Sequence, residues 1–307
     1  MTDVVIVQPI ACSAVDLLAG AGLRVHRAPA PELEAMRPHL ATARAVVTRN
    51  HGFSEAELAA APRLEVIGVH GTGTDRIARA AAERRGVAVV NTPGANARAV
   101  AELALGLMLA CARGLVAADA AARAGDAAWR ERARGIELGG RRLGLVGFGH
   151  VARALAQMAR GLGMEVAALT RHAGAADLAA AGVRRADDLD ALCAGSDVLS
   201  LHAVPGPRPL LDAARIARMR QGAILVNTAR GALVDEAALA AALRSGHLRA
   251  AGLDVTATET LPAGSPLLAA PGLVLTPHIG GAAEDAFERT GREVARRVLA
   301  ALRLPAG

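Results

Sequence analysis

The sequence contains no lysine and no tyrosine, and only one tryptophan and three phenylalanines among its 307 residues. Without lysine, no side-chain amine can form a Schiff base, and no phosphate loop of the Gly-Lys-Ser/Thr type can exist. The same absence changes how the charge reads. All 35 basic residues are arginine and the formal net charge is +6, but nothing buffers in the lysine and tyrosine range, which inflates the apparent basicity. The arginines are scattered and interleaved with acids, the pattern of a solvated surface rather than of a nucleic-acid patch. Cysteine is scarce too. Cys12, Cys111 and Cys193 are far apart, with neither zinc spacing nor a disulfide framework. Each lies in an apolar stretch, so buried thiols, no metal and a reducing, cytoplasmic setting are expected. No uninterrupted apolar run approaches membrane length. The first ten residues lack the basic flank and long apolar region of a signal peptide. Neither nucleic acid nor membrane is therefore an expected partner.

Apolar residues make up 52% of the chain, ample for the cores of about two domains. Short β-branched runs alternate with Ala- and Leu-rich stretches at helical spacing, which predicts βαβ units and parallel sheets. The first series of strands is predicted at Val4–Val7, Leu23–His26, Ala45–Thr48, Val66–Val69 and Val87–Val90, with helices at Glu55–Ala61 and Asp75–Arg85. A turn follows at Asn91-Thr92-Pro93-Gly94. Val100, Leu103, Leu107, Met108 and Cys111 then mark a long amphipathic helix, for which Asn96 is a candidate cap. The stretch Arg123–Gly140 reads as an Arg- and Gly-rich loop. A second series of strands is predicted at Leu143–Val146, Val166–Leu169, Val198–Leu201, Ile224–Val226, Ala251–Leu253 and Leu273–Leu275. A closing helix spans Glu284–Leu302.

The first strand of the second series runs into Gly147-Phe148-Gly149-His150-Val151-Ala152. Gly147 permits a tight turn, Gly149 lets backbone approach a pyrophosphate, and the small Ala152 lets the following helix lie close to the strand. Phosphates at that helix N-terminus meet free N–H groups and a favourable dipole. The motif is a dinucleotide loop, in the strand–turn–helix setting it requires. About 20 residues on, where an NAD site usually has a carboxylate for the ribose 2′-OH, stand Thr170 and Arg171. A missing anion and an added cation suit a 2′-phosphate, so NADP is expected to be preferred, with NAD possible.

Three later segments place polar residues just past predicted strands: Asn227-Thr228-Ala229-Arg230-Gly231, Gly252-Leu253-Asp254-Val255 with Glu259 beyond, and Thr276-Pro277-His278-Ile279-Gly280-Gly281. With His70-Gly71-Thr72-Gly73-Thr74-Asp75, Asn91–Asn96 and the glycine loop, they appear in one order along nearly the whole chain. In that order they resemble the D-isomer-specific 2-hydroxyacid dehydrogenase family. The resemblance implies an α/β fold: a Rossmann doubly wound parallel-sheet dinucleotide domain over residues 98–284, and a smaller flavodoxin-like substrate domain from residues 1–97 and 285–307. The active site is expected in the cleft between them.

The resemblance also implies roles. Arg230 would orient the substrate carboxylate and polarise the keto oxygen, a task for a planar fork. His278 would give or take the hydroxyl proton, and Glu259 would pair with it. Asp254 would stand near the nicotinamide, with Gly280, Thr228, Ala229 and His202 beside the cofactor and His150 touching phosphate through its backbone. The amides of Gly71, Thr72 and Gly73 would hold the substrate carboxylate, and Arg49 is a candidate to face a second carboxylate or a phosphate.

The implied activity is hydride transfer between a nicotinamide dinucleotide and a small 2-hydroxy or 2-keto acid. NADPH-linked reduction of glyoxylate or hydroxypyruvate is favoured over NAD-linked 3-phosphoglycerate oxidation, and a dinucleotide-sensing corepressor is the reading from another class. A homodimer using the Val100–Cys111 helix is expected. The chain departs from the family pattern in Val255–Thr260, which usually has Phe near the start and Pro after the Glu, at Val204, where Pro is usual, and at Arg76, usually Asn. These departures bear on pocket shape. The regulatory C-terminal domain of some phosphoglycerate dehydrogenases is not seen, so feedback control of that kind is not expected.

Overall fold

The computed structural model describes residues 2–305. They form two compact units, one from residues 2–96 with 281–305 and one from residues 97–280. The chain starts with β1 (Val4–Ile6), α1 (Cys12–Gly20), β2 (Val25–Arg27), α2 (Leu33–Leu40), β3 (Ala45–Thr48), α3 (Glu55–Ala60), β4 (Val66–Val69), α4 (Arg79–Arg84) and β5 (Ala88–Val90). Three helices follow, α5 (Ala97–Arg113), α6 (Leu115–Arg123) and α7 (Trp129–Arg132). Alternation then resumes with β6 (Arg142–Val146), α8 (His150–Gly161), β7 (Glu165–Leu169), α9 (Ala175–Ala180), β8 (Arg184–Arg185), α10 (Leu189–Gly195), β9 (Val198–Leu201), α11 (Ala213–Arg218), β10 (Ala223–Asn227), α12 (Glu236–Arg244), β11 (Leu248–Leu253) and β12 (Leu273–Leu275). The last helix is α13 (Glu284–Ala301).

In the first unit the strand order is β2-β1-β3-β4-β5 and every pairing is parallel. This is the flavodoxin-like order. Central strands covered on both faces read as unbroken apolar runs, as in Val4–Ile6 and Ala45–Val47. One face packs on Met36, Leu40, Phe53 and Leu58, the other on Leu18, Val294, Val298 and Leu299. Gly68 lets α13 press onto β4: a Cβ there would lie 2.6 Å from Val298 Cγ2. The helix expected over Asp75–Arg85 begins only at Arg79. Residues 74–78 are instead held as a turn, with Ile77 N–H on Thr74 O and Ala78 N–H on Phe53 O.

The second unit is a seven-stranded parallel sheet of order β12-β11-β10-β9-β6-β7-β8. The chain runs outward from β6 through β7 to β8, then returns to β6's other side as β9. That reversal is where doubly wound sheets bind ligands, outside the carboxyl ends of the strands. Helices α5 and α8 bury Leu107, Met108 and Leu155 on one face, while Leu192, Ile216, Leu239 and Leu243 fill the other. Side-chain caps from Asp188, Asp212 and Asp235 start α10, α11 and α12.

Three sequence expectations change. Cys12 is exposed: the buried stripe of α1 runs through Ala14 and Leu18, and Cys12 points off it. Cys111 and Cys193 are buried, and burial pushes their thiols up to about 12 and about 11. The expected loop Arg123–Gly140 contains α7 and is preceded by α6. Neither helix buries a residue; α7 is the short polar run Trp129-Arg130-Glu131-Arg132, and α6 leaves its apolar Leu115 and Val116 exposed. Finally, the apolar stripe of α5 is used within its own unit, with Val100, Leu107, Met108 and Cys111 buried. Leu109, Leu115 and Val116 are the large apolar side chains left exposed there.

Candidate active site

At the end of β6, Gly147 donates its N–H to Leu169 O at 2.8 Å and takes a φ of 98°. A Cβ at Gly147 would meet His202 O at 2.5 Å, so only glycine lets the two strand ends approach. Gly149 is the N-cap of α8 and Ala152 is fully buried beneath it. The first amides of a helix lack intrahelical acceptors, and here His150 and Val151 supply them. Phe148 is buried under the Arg153 guanidinium, 4.7 Å from its ring centre. Just past β10, the Thr228 hydroxyl is buried with no hydrogen-bond partner among the described residues. Open space at Gly149, on a helix N-terminus, and an orphaned buried hydroxyl past β10 at the same edge of the sheet fit a dinucleotide. His202 Nε2 meets Ser200 Oγ at 3.0 Å. Burial pushes its ring down to about 4, so it is neutral near pH 7 and unsuited to acid–base work.

The candidate groups past β10, β11 and β12 sit on loops held largely by backbone. Asn227, almost fully buried, donates from Nδ2 to Arg230 O at 2.8 Å and accepts from Ala229 N at 3.0 Å. Arg230 Nη1 donates to Ala229 O at 2.7 Å. Asp254, also buried, receives Thr276 Oγ1 (2.6 Å) and Ile279 N–H (2.8 Å) on Oδ1 and Gly280 N–H (2.9 Å) on Oδ2. Its carbonyl takes the N–H of His278 at 2.9 Å. This grip holds His278 at a φ of 55°, a left-handed conformation that costs a non-glycine residue about 1–3 kcal/mol. The carboxylate of Asp254 is thus committed to the loop that carries His278. Glu259 Oε1 faces His278 Nδ1 at 3.2 Å, both side chains part exposed.

In the first unit, the loop after β4 is less open to anions than expected. Gly71 has a φ of 146° and its N–H already meets Thr92 Oγ1 at 3.0 Å. Among the described residues, the N–H groups of Thr72, Gly73 and Thr74 in that loop have no hydrogen-bond partner. Arg49 stands past β3, its guanidinium 4.9 Å from the Phe287 ring centre and 3.2 Å from Pro9 O; burial lowers its pKa. His70 lies on the same ring, with Nε2 3.2 Å from Phe287 O, and burial together with the Arg49 charge pushes it down to about 4.

Residues 105–280 match the D-isomer specific 2-hydroxyacid dehydrogenase family, NAD binding domain. The chain belongs to this family. A D-3-phosphoglycerate dehydrogenase of Mycobacterium tuberculosis is 39% identical over 97% of this chain and 56% of its own length. A hydroxypyruvate reductase of Thermotoga maritima is 41% identical over 78% of each chain. A Thermus thermophilus protein of solved structure superimposes with a TM-score of 0.88 at 37% identity, covering 98% of this chain and 97% of the other. The chain spans 46% to 61% of the length of the curated phosphoglycerate dehydrogenases it matches.

Within this family fold, the Thr170 hydroxyl accepts from His172 N (3.3 Å) and Ala173 N (3.1 Å), closing a local turn after β7 and leaving its own O–H to donate. Arg185, on the edge strand β8, holds that turn from the side, donating to Thr170 O at 3.1 Å and Ala173 O at 3.2 Å. Arg171 and His172 are exposed on it. Sequence reasoning passed over Arg185, Asn227 and Glu236. Asn227 carried a signal, since an Asn ending a strand before a turn bonds its own backbone two residues on. The other two act on loops far away in sequence, and nothing local announces them.

Proposed function

We propose that the chain interconverts small 2-keto and 2-hydroxy acids, working as an NADPH-linked reductase of an acid such as glyoxylate or hydroxypyruvate. The observation that carries this reading is the 3.2 Å pair of His278 Nδ1 and Glu259 Oε1, on a loop pinned by Asp254 beside the strand end that bears Arg230. The dinucleotide supplies and accepts the hydride. Because Nδ1 faces Glu259, the nitrogen that exchanges a proton with the substrate oxygen is Nε2. Glu259 fixes the tautomer and faces the charge that the ring carries before donation. The Arg230 fork binds the substrate carboxylate and draws electron density from the keto oxygen. Gly147, Gly149 and the amides of His150 and Val151 receive the pyrophosphate, with Phe148, Thr228, Ala229 and Gly280 around the cofactor.

The NADPH preference is supported by the absence of a carboxylate at Thr170 and by the exposed Arg171 and His172 on a clamped turn. NAD-linked oxidation of 3-phosphoglycerate is the second reading, favoured by Arg49 at the end of β3 and by the 39% identity to such enzymes. Initial rates with glyoxylate, hydroxypyruvate and 3-phosphoglycerate, each with both cofactors, separate the two. No turnover with any of them favours a dinucleotide-sensing binding protein. The assembly in this reading is a homodimer, supported by the exposed Leu109, Leu115 and Val116 rather than by the buried stripe of α5. A monomer by light scattering at micromolar concentration contradicts it.

A further inference from the structure

One tie between the loop that carries Glu259 and the body of the second unit comes from a carboxylate outside the triad. Glu236, in the first turn of α12, accepts the N–H of Ala257 on Oε1 at 2.6 Å. Between Arg230 and Glu236 the chain makes a short 3-10 turn starting at Gly231. Gly231 lies against residues 256 and 257 so closely that a methyl group there would overlap the Thr256 carbonyl. Beyond Ala257 the order is carried forward by threonines: Thr256 Oγ1 donates to Thr258 O at 2.6 Å, and Thr258 Oγ1 to Thr260 O at 2.9 Å. Glu259 sits inside that run.

We infer that Glu236 is a positioning residue, which ties the Glu259 loop to the Arg230 loop and so keeps Glu259 against His278. The inference rests on the proposed pairing of Glu259 with His278 in proton transfer. What ties the Ala257 amide to α12 is an acceptor oxygen on residue 236 at this distance. Glutamine supplies one through Oε1 and alanine does not.

The test is a double-mutant cycle read by rates of glyoxylate and hydroxypyruvate reduction, and separately by the imidazole ¹⁵N resonances of His278 without cofactor. Glu236→Ala should lower kcat about tenfold, within the range of coupling between contacting groups, with the cofactor KM unchanged. Glu236→Gln should restore it. In a Glu259→Gln background, Glu236→Ala should add nothing, because its effect passes through Glu259. The His278 Nδ1 resonance should move in Glu236→Ala in the same direction as in Glu259→Gln. Losses that multiply in the double variant, an unmoved resonance, or wild-type kcat in Glu236→Ala overturn the inference while leaving the triad standing. Wild-type kcat and resonance in Glu259→Gln itself overturn the triad reading, and the inference with it.

Discussion

His278 occupies left-handed backbone with a φ of 55°, held there by four hydrogen bonds from its loop to Asp254. Strain of this kind persists only where surroundings over-determine it, and here it points the imidazole at Glu259. Removing the ring should lower kcat by roughly 10²–10⁴, the usual worth of a positioned acid–base. His278→Ala should still bind dinucleotide, as fluorescence titration would report. Arg230→Lys should be severely impaired too, since an ammonium cannot reproduce the fork; near wild-type turnover in either variant contradicts its role. Two other histidines act on stability. His70 and His202 are pushed down to about 4 by burial, against 6.5 for a free ring. Above pH 6.5 both forms of the chain hold them neutral. As the pH falls from 6.5 towards 4, the unfolded chain takes up protons that the folded chain refuses, and stability is lost. The slope is up to about 1.4 kcal/mol per pH unit for each ring. Urea midpoints should therefore fall between pH 7.5 and pH 5, and less so in His70→Gln. A midpoint that rises towards pH 5 contradicts this burial.

At the scale of elements, the buried strands were legible because buried parallel strands are unbroken apolar runs, and the glycine turn because its residue types answer to backbone geometry. The exposed two-residue edge strand β8 was not, since Arg184 and Arg185 carry no strand pattern, nor was the four-residue polar helix α7. The turn after β7 was half legible. Thr170 marked the missing carboxylate, but the destination of its hydroxyl depends on local turn closure, and the clamp by Arg185 depends on which strand lies beside β7. This turn bears on cofactor choice. If Arg171 pairs with a 2′-phosphate, the kcat/KM ratio should favour NADPH by roughly 10- to 100-fold. Arg171→Ala should reduce that preference and leave NADH kinetics unchanged. Thr170→Asp can keep both turn bonds, because its carboxylate accepts from the same amides, and should reverse the preference. A native enzyme that favours NADH, or a Thr170→Asp variant with an unchanged ratio, contradicts the assignment.

At the scale of the whole molecule, each unit has its own parallel sheet and its own pair of cores, and each carries part of the candidate residues. The second carries the dinucleotide turn, Arg230, Glu259 and His278, all past the carboxyl ends of its strands. The first carries Arg49 and the free amides of Thr72, Gly73 and Thr74, past the ends of β3 and β4. Residue order alone located these groups, because the motifs end strands whose direction is fixed by parallel pairing. What it could not locate were contacts made across sequence: Asp254 with residues 276–280, Glu236 with Ala257, and Gly71 with Thr92. Those contacts hold the groups in place. The account stands or falls on one assay: oxidation of NADPH followed at 340 nm with glyoxylate or hydroxypyruvate, for the native chain and for His278→Ala in parallel. It expects saturable turnover by the native chain and a loss of roughly 10²–10⁴ in kcat for the variant. Equal rates in the two proteins, or no oxidation of either cofactor with either acid, would contradict it.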